Sequence, residues 1–552
     1  MLKGGFYMEY NKDIAVDQIG YEALSSKIAV AKDIGGEFRV VNDENGDTVF
    51  SGRADKPVFD STNNINVYRY DFSELKDCGK YHIENKNGSS YPFVIGKNIY
   101  KDAFRATIKA LYFQRCGTAL EEKYAGKYTH AACHLQKSAK IAPDCERRID
   151  DVTGGWHDAG DFGRYITPAN QCIHNLCYIY ELFDNAKVLG LNIPESGNGV
   201  PDILNEARWE IEWMLKMQDP NGGVHHKLCA TKMPEIIMPE NDESEIFVSP
   251  VSLQATAGFA AAMTAAARVW QKFDRAFSDR LVGAALRAYS FAKQNRDVIP
   301  VYYVETPPCG GGTYGDSCTD DELYWAAAEL FRFTGDRQYE NDFKELYKKD
   351  FSKTAAGAYN QGGYGSLCYC LCENADEKMR AQVLADIVEE ADKRLSVFND
   401  NAYSVAMKGA AENQESDYYW GSNAGLTNAL FNMIAAAILL KTHTYDECIR
   451  GSMAYIFGRN IISKCYVSGF GSDPMMHPHH RPMEADGITE PIEGFVSGGP
   501  NDREGQRPWD ADGKPSAACY IDHLWSYTSN EVAIYWNTSA AFVLAYLCET
   551  DG

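Results

Sequence analysis

The distribution of apolar residues changes near residue 98 of this 552-residue chain. Before that point, short segments rich in β-branched and aromatic residues alternate with turn pairs such as Asn87-Gly88, a pattern typical of strands joined by tight turns. Beyond it, apolar residues recur at helical spacing. Examples of these helical segments are residues 200–218, 252–273, 321–336 and 537–550. The pattern predicts a small β-sandwich over residues 1–98 and a mainly α domain over residues 99–552.

Two long connections interrupt the predicted helices, over residues 300–319 and 469–529. Loops of this length in a compact helical domain are usually either functional or disordered. These two contain too many His, Tyr and Trp side chains for a disordered segment. We therefore expect the functional side chains to lie there.

The net charge of −23 argues against a nucleic-acid partner and an anionic membrane surface, because phosphate groups are bound by clustered Lys and Arg. The longest apolar run, residues 429–440, is too short to cross a bilayer. The first residues lack the apolar stretch of a secretory signal, and 16 cysteines without such a signal fit a reducing compartment. We expect a cytoplasmic protein, or a secreted one if a leader has been removed.

A glycine-rich turn, TGGWHDAGDFGRY over residues 153–165, places Asp158 and Asp161 three residues apart among aromatic side chains. A further carboxyl group, Glu531, lies between Tyr527 and Trp536 in an apolar segment that would raise its pKa. Cleaving a glycosidic bond needs one carboxylic acid to protonate the leaving oxygen and one carboxylate to activate water or attack the sugar. Either aspartate can be the carboxylate and Glu531 the acid. The alternative is that all three are ordinary charged loop residues.

The loop GSDPMMHPHHRP holds His477, His479, His480 and Arg481. Two interpretations are equally open. The imidazoles are either exposed loop residues, with or without a metal of their own, or they join Arg481 as donors to sugar hydroxyls.

Four motifs in this order, GGWHDAGDFGRY, SGFGSDPMMHPHHRP, VSGGPND and YTSNEVAIYWN, resemble the signatures of glycoside hydrolase family 9, the cellulase family. The N-terminal stretch VDQIGYEALSSKIAVA resembles the immunoglobulin-like module that precedes the catalytic domain in one branch. The resemblance extends over nearly the whole chain. It implies a mainly α fold, an (α/α)6 barrel preceded by a small immunoglobulin-like β-sandwich.

The resemblance assigns the catalytic base to Asp161, with Asp158 helping to hold the nucleophilic water, and the general acid to Glu531. The family inverts the anomeric centre by single displacement. Glu531 should therefore lie opposite the aspartates, roughly 6.5–9.5 Å away, with room for a water. The turn has two carboxylates because the attacking water must be both deprotonated and held in position.

The resemblance also implies four substrate-binding side chains. His479 and Arg481 correspond to donors to the sugar, Tyr527 lies beside the acid, and Trp420 is a candidate for stacking on a sugar ring.

A structural zinc site is implied by the same branch of the family. Its ligands correspond to Cys116, Cys133, His134 and His157. Two thiolates and two imidazoles fill a tetrahedral shell and leave no open position, so such a metal would be structural. The alternative is that Cys116 and Cys133 are ordinary buried thiols.

A calcium site is a further expectation, because the family often binds calcium near the segment GDSCTDDE. The acidic residues gathered there are Asp316, Asp320, Asp321 and Glu322. Their position near a helix start gives a second explanation, since acidic side chains also favour that end of the helix dipole.

The sequence therefore predicts an inverting glycoside hydrolase that cleaves β-1,4-glucosidic bonds, of the endoglucanase or cellodextrinase type. Inside a cell, transported cello-oligosaccharides are better substrates than insoluble cellulose, and chain-end cleavage would outweigh random cleavage. The alternatives are an exo-β-glucosaminidase acting on chitosan oligomers and a catalytically silent sugar-binding protein. The three intact carboxyl groups argue against the silent protein.

Overall fold

The computed structural model of the protein describes residues 10–410 and 415–550. Within these ranges the strands are β1 Ile14–Ala15, β2 Tyr21–Glu22, β3 Ile28–Lys32, β4 Gly36–Asn42, β5 Thr48–Ala54, β6 Val58–Asp60, β7 Ile65–Asp71, β8 Gly79–Asn85, β9 Gly88–Ser89, β10 Phe93–Gly96, β11 Ala139–Ile141, β12 Arg148–Ile149, β13 Arg164–Tyr165, β14 Lys227–Ala230 and β15 Ile246–Val248. The α-helices of the same ranges are α1 Lys101–Phe113, α2 Glu122–Ala125, α3 Ile166–Leu182, α4 Asp184–Lys187, α5 Asp202–Lys216, α6 Leu253–Trp270, α7 Arg275–Gln294, α8 Asp320–Thr334, α9 Arg337–Tyr347, α10 Gly362–Cys370, α11 Glu377–Asp400, α12 Ser422–Leu440, α13 Asp446–Ile456, α14 Arg481–Ala485, α15 Tyr527–Asn530 and α16 Ile534–Thr550.

Strands β1 to β10 form two packed sheets. One has the order β1-β3-β7-β6, and the other has the order β2-β10-β8-β4-β5 with β9 beside β8. The two sheets share one apolar core, which includes Tyr70 from the first and Val40 and Phe93 from the second. The predicted β-sandwich is present, and β1, β2, β6 and β9 are short strands that the sequence pattern did not indicate.

The smaller sheet is apolar on both faces. In β3, Ala29 and Ala31 belong to the sandwich core, whereas Val30 between them packs into the core of the helical part. Successive side chains of a strand point to opposite faces, and this explains why β3 is a continuous apolar run. The sandwich is thus joined to the helices through one buried sheet face.

The long helices form two layers. Helices α3, α6, α8, α10, α12 and α16 contact one another in this order, and α16 contacts α3, so they close a ring. A second layer packs outside them, with α5 on α3, α7 on α6, α9 on α8 and α11 on α12. The sequence accounts for the layers, because α6 is buried at every position except Arg268, whereas α9 buries only three side chains, Glu340, Phe343 and Leu346.

A small sheet in the helical part supports the glycine-rich turn. Its order is β12-β11-β15-β14-β13. Strand β13 follows the turn directly and leads into α3, and it pairs with β14 through Arg164 and Leu228. The turn is therefore held between the sheet and the start of an inner helix.

The sandwich also fixes the start of the long loop that carries His479. The Gln18 side chain accepts hydrogen bonds from the backbone N–H groups of Ser472 and Asp473 and donates one to the carbonyl of Ser463. Gln18 is buried. The N-terminal module therefore holds the loop in place.

Helix α12 is the one helix of the described residues that is long and apolar enough, by length and composition, to cross a membrane. Its most apolar stretch is 67% buried, and the helix packs against α11 and α16. Core helices of folded domains meet the same test, so this is a weak indication of a membrane segment. The expected absence of a membrane partner stays a prediction.

Candidate active site

A cavity of about 520 Å³ lies at the glycine-rich turn and contains the three predicted carboxyl groups, Asp158, Asp161 and Glu531. We call it the catalytic cavity. Its aromatic lining consists of Tyr165, Tyr314, Tyr359, Tyr419, Trp420, Tyr535 and Trp536. Carboxyl groups separated by more than 350 residues of sequence are thus brought together between aromatic walls.

Backbone hydrogen bonds hold the turn in a tight conformation. Asp158 N–H donates to the carbonyl of Gly163 at 2.9 Å, and Gly163 N–H donates to the Asp161 carboxylate at 3.1 Å. Gly160 lies against the loop of His479 so closely that a Cβ there would be 2.0 Å from the His479 carbonyl oxygen. Glycine is therefore required at this position, and the motif DAGD follows from the packing.

Glu531 is fixed to the same loop from the other side. His479 N–H donates to the carbonyl of Asn530 at 2.8 Å, and Gly498 N–H donates to the carbonyl of Glu531 at 2.8 Å. Ile534 N–H in turn donates to the carbonyl of Asp158 at 2.8 Å. Short backbone bonds thus set the position of Glu531 relative to the turn.

The two aspartates differ in the charges around them. Burial raises the pKa of Asp161, but the positive charge of Arg481, the Gly163 N–H group and the charge of Lys227 oppose this rise. Burial raises the pKa of Asp158 to about 8, with the Tyr314 hydroxyl opposing the rise and the charge of Asp161 adding to it. Of the two, Asp161 is therefore the better site for a negative charge.

Glu531 favours its protonated form. Burial raises its pKa to about 8, and the charges of Asp161 and Asp158 add to the rise. The Trp420 indole N–H donates to the Glu531 carboxylate at 3.2 Å and lowers the pKa by a smaller amount. A carboxyl group in this state can give a proton at neutral pH.

His479 and Arg481 have protein partners beside the turn, and their predicted contact with the sugar stays a prediction. The Nδ1 atom of His479 lies 2.6 Å from the carbonyl oxygen of Leu524, which can only accept, so Nδ1 carries the proton and Nε2 is left as an acceptor. Arg481 is buried, and it donates to the carbonyls of Pro234 and Gly160. Arg481 therefore holds the turn and supplies charge to it.

Trp420 and Tyr527 form an aromatic wall beside the acid. Their rings lie 5.3 Å apart, and the Tyr527 ring lies 5.8 Å from that of His479. Both side chains are partly exposed, 39% for Trp420 and 47% for Tyr527. Two accessible rings next to Glu531 suit contact with a sugar ring.

Tyr314 is a site residue that the sequence did not single out. Its hydroxyl donates to the Asp158 carboxylate at 2.5 Å. The loop of residues 300–319, which the sequence marks as functional, carries it, and Lys227 fixes this loop by donating to the carbonyl of Gly312 at 2.8 Å. The length of the loop indicated the segment, but no pattern indicated which of its tyrosines meets the turn.

Three further lining residues of the cavity were also missed. Arg503 and Gln506 line it from the segment after VSGGPND, and Met233 lines it from the loop between β14 and β15. Nothing in their local sequence distinguishes them from surface residues. Only the fold brings them to the turn.

Four buried side chains meet in a group with metal-ligand character. The ligand atoms of Cys116, Cys133, His134 and His157 all lie within 4.8 Å of one another. His134 Nδ1 lies 3.2 Å from His157 Nε2, and His134 Nε2 lies 3.3 Å from the Asp242 carboxylate. A carboxylate behind a ligating imidazole is a common outer partner at metal sites. The donor set therefore fits a buried metal ion.

The histidines of the HPHHR motif have other roles. His480 caps α14 by accepting from Met483 N–H, and its Nε2 lies 2.8 Å from the Gln114 side-chain oxygen. His477 is exposed. Among the described residues, this loop is not part of either group of potential metal ligands.

A second group with metal-ligand character consists of Asp316, Asp321 and Glu322. Both carboxylate oxygens of Glu322 are buried without a hydrogen-bond partner. Asp320, which we expected in this group, forms an ion pair with Arg296 instead. Uncompensated buried carboxylates fit a cation with oxygen ligands.

These observations define a class of protein. A mainly helical domain behind a β-sandwich, with paired carboxyl groups between aromatic walls, is a glycoside hydrolase. The family model of glycosyl hydrolase family 9 matches residues 100–544, and that of the cellulase N-terminal ig-like domain matches residues 9–90. The chain belongs to glycosyl hydrolase family 9, and the predicted family and hydrolase class of the cellulase type are confirmed.

Curated relatives and solved structures resemble the chain over nearly its full length. A cellodextrinase of Butyrivibrio fibrisolvens is 33% identical over 98% of this chain and 100% of its own length. Endoglucanase D of Acetivibrio thermocellus is 31% identical over 97% of this chain and 83% of its own length.

Among solved structures, a single mutant of a thermostable endoglucanase from Alicyclobacillus acidocaldarius is 33% identical, with a TM-score of 0.90 over 98% of this chain and 100% of that chain. A zinc-binding triple mutant of another family 9 endoglucanase is 30% identical, with a TM-score of 0.88 over 96% of this chain and 100% of that chain.

Proposed function

We propose that the chain hydrolyses β-1,4-glucosidic bonds of cello-oligosaccharides by single displacement, with inversion at the anomeric carbon. The observation that carries the proposal is the catalytic cavity, in which the charges of Arg481 and Lys227 oppose the rise of the Asp161 pKa that burial causes, whereas burial and the charges of the two aspartates raise the pKa of Glu531 to about 8. The names of the relatives, a cellodextrinase and an endoglucanase, support a β-linked glucan as substrate.

Asp161 is the base in this proposal. Its carboxylate takes a proton from water as the oxygen of that water attacks the anomeric carbon. Asp158 holds the same water, because one of its carboxyl oxygens is bound by Tyr314 and the other, Oδ1, has no protein partner. Arg481 and Lys227 favour the charged form of Asp161 before the step.

Glu531 is the acid. It gives its proton to the glycosidic oxygen as the bond to the anomeric carbon breaks, and it becomes a carboxylate. The Trp420 indole N–H then faces a negative charge and stabilises it. Both carboxyl groups return to their first states by exchanging protons with solvent.

The walls of the cavity bind the sugar rings. Trp420 and Tyr527 offer aromatic faces for stacking, and His479 accepts a hydrogen bond from a sugar hydroxyl. Arg503 and Gln506, which also line the catalytic cavity, donate to other hydroxyls. Neutral sugars need such dipolar partners rather than a cluster of one charge.

A zinc ion is the metal that best suits Cys116, Cys133, His134 and His157. Two sulfur and two imidazole ligands make a closed tetrahedral shell, so this site is structural. Cys116 N–H donates to the carbonyl of Gly155 at 2.8 Å, and His157 N–H donates to that of Gln114 at 2.8 Å. The site therefore ties the end of α1 to the turn of Asp158.

A calcium ion is proposed for the group Asp316, Asp321 and Glu322. Three carboxylates on one loop and helix start give the oxygen ligands that calcium prefers. The side chain of Asp321 also accepts from Gln361 N–H at 2.7 Å. A cation here would join the long loop of Tyr314 to the start of α8 and to α10.

The arrangement of the helices agrees with the barrel expected for the family. We infer that the closed ring of six inner helices and the layer outside it form an (α/α)6 barrel. The domain boundary lies near residue 98, between β10 and α1, so the sandwich spans residues 1–98 and the hydrolase domain residues 99–552.

A reducing compartment such as the cytoplasm is proposed as the location. All 16 cysteines of the chain fall in the described residues, and none of them is in a disulfide. Thiols stay reduced in such a compartment. Soluble oligosaccharides are the cellulose-derived substrates available there, which favours cleavage from a chain end.

A product time course tests the proposal. The purified chain is incubated with cellopentaose and, separately, with a chitosan pentamer, and the products are separated by chromatography. We expect stepwise release of glucose or cellobiose from cellopentaose, with the Glu531→Gln variant as inactive control. A spread of mid-length products would overturn chain-end cleavage, and glucosamine released only from the chitosan oligomer would overturn the substrate class.

A further inference from the structure

The exposed tryptophans of this chain lie on segments beside the catalytic acid. Three of the nine tryptophans, Trp420, Trp509 and Trp525, are exposed, by 39%, 57% and 58%, whereas the other six are buried or half-buried. Trp420 lines the catalytic cavity, and Trp509 and Trp525 do not. Single apolar side chains at a surface need no explanation, but a contiguous group of large ones marks a binding site.

Trp525 belongs to a row of exposed aromatic side chains that ends at the catalytic cavity. Along one turn, His523, Trp525 and Tyr527 are exposed, and the residues between them are buried. The Tyr527 ring lies 5.3 Å from that of Trp420, whose indole N–H donates to the Glu531 carboxylate. The row therefore leads from the acid outward to Trp525.

Trp509 meets the outer end of this row. Its ring lies 5.2 Å from that of His523 at an angle of 88°, an edge-to-face contact. Gln506, three residues earlier, lines the catalytic cavity. The buried Asn501 amide donates to the carbonyl of Gln506 and to a carbonyl of α15, and it thereby ties the two segments together. Trp509, His523 and Trp525, which we call the outer aromatic surface, are therefore continuous with the cavity wall.

Hydrogen bonds hold the turn that carries the outer aromatic surface. The Asp522 carboxylate accepts from the backbone N–H groups of Met476 and His477, both at 2.8 Å. The Leu524 carbonyl accepts from His479 Nδ1 at 2.6 Å. Because the turn is already fixed, a ligand that stacks on its rings does not have to order it.

The surface suits a neutral sugar chain better than an anionic ligand. Each basic residue of the two segments has a protein partner: Arg503 pairs with Glu415, Arg507 donates to the Lys514 carbonyl, and Lys514 pairs with Asp510. Flat aromatic faces pack against the C–H face of a pyranose, and an indole loses little conformational freedom when it is covered. A glucan that occupies the cavity can therefore reach and cover the adjoining rings.

We propose that the outer aromatic surface binds glucosyl units of a β-1,4-linked glucan that extends out of the catalytic cavity. The inference rests on the proposed function, because the ligand is the same chain whose bond is cleaved in the cavity. Trp509 and Trp525 stack on units beyond those held by Trp420 and Tyr527. The surface makes longer oligosaccharides better substrates through binding rather than through the chemical step, since neither ring lines the cavity that holds the carboxyl groups.

The dependence of activity on chain length tests the inference. Values of kcat/KM are measured on cellotriose and on cellohexaose for the wild type, Trp525→Ala and Trp509→Ala. We expect each variant to lose about fivefold in kcat/KM on cellohexaose, mostly through KM, and to keep its value on cellotriose. Trp525→Tyr, which keeps a ring, should retain most of the preference for cellohexaose. Phe59→Ala, at a ring of the sandwich that is 59% exposed, is the matched control and should change neither value.

Binding without cleavage separates this inference from the proposed function. In the Glu531→Gln protein, titration calorimetry should give a Kd for cellohexaose that is about fivefold weaker once Trp525→Ala is added. The Kd for cellotriose should not change. The same difference in Kd, together with a wild type that hydrolyses neither oligosaccharide, would refute the proposed function and leave the outer aromatic surface standing.

Two outcomes would overturn the inference while leaving the proposed function intact. One is that both Ala variants keep the wild-type kcat/KM and Kd for cellohexaose. A lower molecular mass of these variants in light scattering would then assign the rings to a contact between copies of the chain. The other is an equal loss on cellotriose and cellohexaose at an unchanged melting temperature, since the rings would then act on units inside the catalytic cavity.

Discussion

Two groups of three carboxyl groups occur in this chain, and they resemble each other in composition. One lies in the catalytic cavity, Asp158, Asp161 and Glu531, and the other lies at the start of α8, Asp316, Asp321 and Glu322. We call the second the helix-end group. Burial is the largest cause that raises the pKa of Glu531 in the first and of Glu322 in the second.

The two groups differ in what surrounds them. The catalytic group lines an open cavity and has proton donors and a cation directed at it, from Trp420, Tyr314 and Arg481. In the helix-end group, both oxygens of Glu322 are buried without a partner. A raised carboxyl pKa therefore does not identify a catalytic site by itself. A carboxyl group that lines an open cavity and has hydrogen-bond donors around it indicates a catalytic site. Buried carboxylate oxygens without partners indicate cation binding instead.

The largest effect that separates the two groups is on the rate of hydrolysis. Asp161→Asn removes the base and Glu531→Gln removes the acid, and each should lower kcat on cellopentaose by about 10³-fold or more. Glu322→Gln, a matched change in the helix-end group, should leave kcat within about threefold. Similar losses of kcat in all three variants would show that the two groups do not differ in their role in catalysis. Near-normal activity of Asp161→Asn or Glu531→Gln would refute the proposed mechanism.

The proposed zinc site of Cys116, Cys133, His134 and His157 should contribute to the stability of the protein. Cys133→Ser removes one of four ligands, and it should lower the melting temperature by about 5–10 °C and release the bound metal, because ligand loss costs folding free energy. Cys78→Ser, at an exposed thiol, is the control. Scanning calorimetry and metal analysis measure both effects, and an unchanged melting temperature would contradict the site.

Calcium should act on the helix-end group. After chelation, adding Ca²⁺ in 100-fold excess over its Kd should stabilise the protein by about 2.7 kcal/mol, which is a few degrees in Tm. In Glu322→Gln the response should be lost, because one carboxylate ligand is replaced by an amide. A response of equal size in Asp158→Asn and in Glu322→Gln would show that the cation binds elsewhere.

Tyr314 tests how the catalytic group is positioned. Tyr314→Phe removes the hydroxyl that binds Asp158 and should lower kcat by about tenfold while leaving KM nearly unchanged, a cost of about 1.4 kcal/mol in the barrier. The melting temperature is the control for folding. A rise in KM alone would mean that the hydroxyl serves the sugar rather than Asp158.

The elements of the fold and the site that depend on a local sequence pattern could be predicted. The strands of the sandwich follow from alternation and turn pairs, and α6 follows from its Ala-rich run. Glycine and aspartate in DAGD marked the turn, since Gly160 allows the close approach of His479. The short strands β1, β2, β6 and β9 were not predicted, because two or three residues are too few to show a periodic pattern.

The rest depends on contacts between distant segments. Tyr314 and Asp158 are 156 positions apart in the sequence, so no short stretch of sequence contains both. Asp320 pairs with Arg296, although the three adjacent acids Asp320, Asp321 and Glu322 cannot be told apart by sequence. The acceptor role of His479 depends on the Leu524 carbonyl. In each case the side chain type was visible in the sequence and its partner was not.

The smallest expected effect concerns the pH dependence of the catalytic group. Glu531 must be protonated to act, so kcat/KM should fall as pH rises through its pKa of about 8. Asp161 must be ionised, so kcat/KM should also fall at low pH, and this limb should lie above the ordinary aspartate range because burial raises the Asp161 pKa.

Replacing Trp420 by Phe should move one limb of this profile. The indole N–H favours the ionised form of Glu531, so its loss should raise the pKa of the acid and shift the alkaline limb upward by about half a pH unit. The acid limb, which belongs to Asp161, should stay in place. A downward shift would show that the hydrogen bond favours the protonated form, and equal shifts of both limbs would show that Asp161 and Glu531 titrate as one coupled pair.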